Sequence, residues 1–147
     1  MIQTRCALVV LVAVLCVALS PDRDAAAQRA DDKKPSLSLK ATPPVGFSPL
    51  KVRLVVEIKG GANDHADFYC PTIEWDWGDD LTSESSEDCA PYEAGKSEIL
   101  RRYSTEHTYR YAGNYTARFR MKQGKKVVAQ TSSNVQVRAG VREDSDF

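Results

Sequence analysis

Thr72-Ile73-Glu74-Trp75-Asp76-Trp77-Gly78-Asp79-Asp80 decides how the rest of the chain is read. Ile73, Trp75 and Trp77 alternate with Glu74 and Asp76. A period of two puts the three apolar side chains on one face of a half-buried strand. Gly78-Asp79-Asp80 then ends that strand in a turn, since glycine reaches left-handed backbone freely and aspartate more readily than most residues.

The same alternation recurs on both sides of this stretch. Towards the amino terminus, Val52, Leu54, Val56 and Ile58 form one face, with Lys51, Arg53 and Glu57 opposite. Before them Leu37, Leu39 and Ala41 alternate with serine and lysine until Pro43 and Pro44 stop the strand. Towards the carboxyl terminus, residues 98–103 are expected to form a fourth strand. A fifth, 114–122, points Tyr115, Ala117, Phe119 and Met121 inwards. Gln123-Gly124 reads as a hairpin turn, and residues 126–138 as one last strand or two. Between the third and fourth strands, residues 81–97 are a long polar excursion rich in serine and acidic residues. No segment downstream of residue 27 has a helical period. Six or seven short strands across residues 36–138, separated by Gly/Pro/Asn/Asp turns, predict an all-β, antiparallel sandwich.

The chain has 147 residues, 20 basic against 20 acidic, with 42% hydrophobic and 27% charged residues. Its neutrality excludes nucleic-acid binding through bulk positive charge, and its apolar content excludes a wholly disordered chain. Arg5 precedes an apolar run over residues 6–19 that falls short of the about 20 residues a spanning helix needs. With Ala25-Ala26-Ala27 behind it, the run reads as a secretory signal peptide, residues 1–27, cut between Ala27 and Gln28. Contact with a membrane is expected only during export, and the product is expected to be secreted or periplasmic. Residues 28–35 are a polar leader, and residues 139–147 a frayed polar tail. Removal of residues 1–27 takes Cys6 and Cys16 with it and leaves Cys70 and Cys89. An even pair in an exported chain reads as a disulfide. It would tie the polar excursion back to the start of the Trp strand.

Two motifs carry a family resemblance. Glu74 to Asp80 resembles the WDFGDG motif of PKD domains, and His107-Thr108-Tyr109-Arg110-Tyr111-Ala112-Gly113-Asn114-Tyr115-Thr116 resembles their HTY…AGxYTV motif. Pro44, Gly46, Pro49 and Leu50 are similar to the family's P..G..PL opening. Trp77 stands where phenylalanine is usual, Asp80 where glycine is usual, and Ala117 where valine is common. The stretch between the motifs is longer than is typical. The resemblance covers residues 36–138 and implies an Ig-like β-sandwich of the PKD type. It also implies a structural role for His107 at the base of a strand.

The candidate sites follow. Asp76, Asp79 and Asp80 carry oxygens at a spacing that fits calcium, as in some members of that family, and equally fits acceptance of hydrogen bonds from turn amides. No other cofactor is expected. Trp75 is expected to plug the core. Trp77, nearer the strand end, is a candidate for exposure and for stacking on a sugar ring or an apolar partner. Phe68, Tyr69 and Tyr92 flank the cysteines and either form a binding patch or pack beneath the loop. His65 is expected to be solvated, and Asn114-Tyr115-Thr116 to be a chance glycosylation sequon. Arg101, Arg102, Arg110, Arg118 and Arg120 are read as ordinary charged surface. No nucleophile–base constellation is present, so the expectation is a non-catalytic, monomeric binding module. Its partner would be an extracellular or envelope protein or a polysaccharide. The alternative is a structural or calcium-stabilised surface component.

Overall fold

The computed structural model describes residues 34–140. The expected signal peptide (1–27), its cut between Ala27 and Gln28, most of the leader and the tail beyond Gly140 lie outside the described residues. Eight strands are present: β1 (Ser36–Thr42), β2 (Val45–Phe47), β3 (Leu50–Lys59), β4 (Thr72–Asp76), β5 (Thr82–Ser85), β6 (Arg102–Tyr109), β7 (Gly113–Gln123) and β8 (Lys126–Arg138). A single 3-10 turn, Ala66–Phe68, precedes β4. Among the described residues no helix is long and apolar enough to cross a membrane.

The strands form two sheets, β1-β3-β6 and β2-β8-β7-β4-β5. Their inward faces are the alternating sets read from the sequence. Val52, Leu54, Val56 and Ile58 come from β3, Ile73 and Trp75 from β4, Ala117, Phe119 and Met121 from β7, and all are buried. Val128, Val135 and Val137 add the inward face of β8, and Ala41 that of β1. Leu37 and Leu39 pack partly buried at the margin. This is the sheet-on-sheet solution to burying two one-sided apolar surfaces.

Four features depart from the expectation. The short edge strands β2 and β5 raise the count to eight, and β2 pairs with β8 in parallel. β5 was legible only as part of the polar excursion, because all four of its residues are exposed and none is apolar. The fourth strand lies at 102–109 rather than 98–103. Residues 98–101 are drawn instead onto the end of β3 and the loop after it: the Ile99 N–H donates to the Asn63 carbonyl (2.8 Å), and the Arg101 carbonyl accepts from Ile58 N–H (2.9 Å). His107 consequently sits inside β6, opposite Val52 of β3.

Candidate functional site

The disulfide-bearing end is built from two loops, residues 60–71 and 86–101. Cys70 and Cys89 are bonded, with Cα atoms 6.2 Å apart. Polar bonds beyond this link join the loops. The Tyr92 hydroxyl donates to the Asp64 carbonyl (2.6 Å), and Gly95 N–H to the Asp64 carboxylate (2.7 Å). The Arg101 guanidinium fans into the first loop, donating to Asn63 Oδ1 (2.8 Å) and to the Gly60 and Gly61 carbonyls (2.9 and 3.1 Å). The Tyr69 hydroxyl donates to the Ala90 carbonyl (3.0 Å), and the Tyr69 and Tyr92 rings lie 5.6 Å apart. These bonds give several polar groups of the excursion partners in the first loop.

Of the aromatics named from the sequence, Tyr69 and Tyr92 meet here; Tyr92 is 40% exposed, and Leu100 of the same loop 52%. Phe68 does not face solvent: it is fully buried, with the His65 ring edge-on at 5.2 Å. His65 is half-buried rather than solvated, and its Nδ1 has no partner among the described residues. A cleft of about 130 Å³ opens beside the disulfide, between β4, β5 and β6. Tyr103, in its wall, has its hydroxyl pushed up to about 12, first by burial and then by the charge of Glu87.

The WDWGDD end lies at the other end of β4. Trp77 is not available for stacking on a ligand: it is 6% exposed, nearly parallel to Trp75 (5.8 Å, 5°) and to His107 (4.5 Å, 8°). The Tyr109 hydroxyl donates to the Trp77 carbonyl (3.0 Å). Tyr109 is itself pushed up to about 12, chiefly by burial.

Two of the three candidate aspartates are drawn to separate partners, and the third stands exposed. Asp76 accepts from Gly78 N–H (3.0 Å) and pairs with Arg118 (3.2 Å) and Arg120 (3.4 Å). Asp79 lies 2.7 Å from His107 Nε2. Asp80 is exposed in left-handed backbone at φ 68°. Among the described residues no three His, Cys, Asp or Glu side chains gather as metal ligands. The aspartates act on turn amides, a histidine and two arginines.

The arginine stripe is divided. Arg118 and Arg120 join Lys122 in a cross-strand ladder with Asp76, Glu74 and Glu84 on the outer face of the larger sheet. Glu74 is held below the usual carboxylate range, first by its hydrogen bond from Lys122 and then by Arg120. Arg101 belongs to the disulfide end. The positioning roles of Arg101, Asn63 and Asp64 were missed in the sequence, where no spacing marks a side chain that bonds loop carbonyls.

Neither a protein-family model nor a curated protein sequence matches the chain. Among solved structures, the chain is similar to the PKD domain of an M14-like peptidase from a Thermoplasmatales archaeon. Identity is 14% and the TM-score 0.49, over 72% of this chain and 97% of that one. It is also similar to the CARDB domain of a Pyrococcus furiosus protein, solved in complex with di-metal ions, at 11% identity and TM-score 0.44 over 73% and 94%. A superoxide reductase from Ignicoccus hospitalis matches at 11% identity and TM-score 0.41 over 76% and 91%. The described residues form an all-β sandwich of two sheets.

Proposed function

We propose that this chain is an exported, non-catalytic binding module that acts outside the cytoplasm, secreted or periplasmic, as a monomer. Its partner is an extracellular or envelope protein, with a polysaccharide as the alternative ligand class. The observation that carries this reading is the pinned disulfide end. One disulfide and a set of loop-to-loop hydrogen bonds hold Tyr92 and Leu100 on a rigid support with both side chains exposed. An exposed aromatic and an exposed leucine on an ordered loop are a low-entropy recognition surface. A disulfide fits an oxidising compartment.

The non-catalytic part is supported by the surroundings of the acid–base pair. His107 and Asp79 have side chains only 13% and 18% exposed, and the imidazole packs on Trp77 and Tyr109. A general base needs the reacting group within hydrogen-bond reach, and here aromatic rings take that space.

The reading is tested by presenting immobilised protein to a native envelope extract and to a glycan array, alongside a Tyr92→Ala/Leu100→Ser double variant. A partner held by the wild type and lost by about tenfold or more in the variant is the expected outcome. No retained partner, or equal retention by both proteins, would count against it.

A further inference from the structure

The disulfide-side cleft lies where both sheets end. β5 closes one side of the five-stranded sheet, and β6 closes one side of the three-stranded sheet. The cleft takes Ile73 from β4, Ser85 from β5 and Tyr103 from β6 into its lining. It therefore opens at a seam flanked by two strands whose outer backbone edges carry no neighbour among the described residues. Its floor is apolar, with Pro71, Ile73 and the disulfide, and Leu100 stands at its margin.

Its mouth is acidic. Glu87 and Glu98 both line it, and neither forms an ion pair among the described residues. The neighbouring acids are already matched: Glu84 with Lys122, and Glu93 with Lys96. Residues 81–98 carry Glu84, Glu87, Asp88, Glu93 and Glu98 against Lys96, before Arg101 and Arg102 follow. The neutral chain thus has a local negative excess where two sheet edges and a cavity coincide.

Size narrows the occupant. Small-molecule sites usually enclose about 300–1,000 Å³, and this cleft holds about 130 Å³. At about 30 Å³ per water that is some four waters, the room of one long side chain. An apolar shaft between Ile73 and Leu100 with two carboxylates at its mouth suits an aliphatic stem that ends in a cation.

The edge supplies the register. Ser85 and Ser83 lie opposite Ile73 and Trp75, on the inward side of the sheet, while Glu84 lies opposite Glu74 on the outward side. A strand added to the free edge of β5 alternates in the same way. Its residue beside Ser85 points into the cleft, and that residue's two neighbours point outwards. We infer that this cleft is the anchor pocket for a lysine or arginine side chain of a partner protein, whose extended segment adds to the outer edge of β5. This rests on the binding-module reading and specifies the partner as a protein with a basic residue in an extended segment.

The test is a nuclear magnetic resonance titration of the oxidised full chain. The probes are an acetylated, amidated Thr-Val-Lys-Val-Thr peptide and its analogue with norleucine in place of lysine. The expected result is amide shifts at Ser83, Ser85 and Tyr103 with the lysine peptide. Affinity should fall by about tenfold on the norleucine change, and by a similar factor in Glu87→Gln/Glu98→Gln. It should also weaken as salt is raised. Both glutamates are exposed, so an unchanged spectrum elsewhere verifies that the variant is folded. No shifts at about 10 mM peptide, or equal affinity of the two peptides, would overturn the inference. Shifts confined to Tyr92 and Leu100 and indifferent to charge would also overturn it, yet leave the wider reading standing. That wider reading falls separately, on the retention experiment.

Discussion

Gly78 shows how much a single position can carry. It sits at φ +76°, where L side chains are strained. A Cβ there would lie 2.7 Å from the Thr116 carbonyl oxygen. The strand-ending turn is therefore pressed against β7, and Trp77, one residue earlier, is held between its two ring partners. Gly78→Ala is expected to cost about 1–3 kcal/mol of unfolding free energy in urea denaturation. Gly124, at φ +57° with open space around it, is the comparison. A loss for Gly78→Ala no larger than for Gly124→Ala would remove the close-approach argument. The turn was legible in the sequence because glycine and aspartate announce it. The approach to β7 was not, since it depends on the sheet that β7 joins. Trp77 is the opposite case. Its inward phase was plain from the alternation, and only its place near the strand end suggested exposure. The His107 ring covers it, supplied by a strand of the other sheet.

At the scale of elements, the outer face of β4, β5 and β7 is an alternating ladder of carboxylates and cations. Glu74 stands opposite Arg120 in the β4–β7 register and also takes a hydrogen bond from Lys122. Its carboxyl is lowered from an ordinary value of 4.5. A carboxylate lowered on folding adds stability that is present above that ordinary value and is lost as pH falls through the lowered one. Lys122 is raised by the same contact, so its share is present below its ordinary value of 10.5 and is lost at higher pH. Glu74→Gln is expected to lower stability by about 1 kcal/mol or less near neutrality. The gap between wild type and variant should close as pH is taken below 4.5. Urea midpoints across that range measure it, and a gap constant with pH would refute the assignment. The strands themselves were legible wherever one face is apolar, as in β3, β4 and β7. They were illegible where an edge strand needs no apolar residue. β5 is the example: Thr82 to Ser85 are held by backbone bonds to β4 and by Lys122 of β7 in the same sheet.

For the whole molecule, the disulfide joins residues 19 apart in sequence and fastens the polar excursion to the start of β4. In the chain-entropy account a loop of this size is worth about 3 kcal/mol. Cys70→Ser/Cys89→Ser is expected to lose about that much in urea denaturation and to speed amide exchange at Gly95 and Ile99, which bond across the two loops. Unchanged stability and unchanged exchange would show that the loop hydrogen bonds suffice alone. The sandwich and the cysteine pairing were both readable from periodicity, compartment and count. The docking of residues 86–101 onto residues 60–65 was not. It is made by one arginine, one aspartate and one tyrosine acting on backbone groups, and composition does not encode such contacts. The division of Asp76 and Asp79 between separate partners was unreadable for the same reason.

The parallel pairing of β2 with β8 bears on the order in which the molecule can be made. Val45 meets Gln136, roughly 90 residues later, and a contact of that separation forms slowly. β8 also pairs with β7, so this one strand joins β2 to the rest of the larger sheet. A nascent chain that has emerged only as far as β7 holds neither the partner of β2 nor the second wall of β7. The complete larger sheet therefore forms only after β8 has been released, whereas β1, β3 and β6 have all their partners before it.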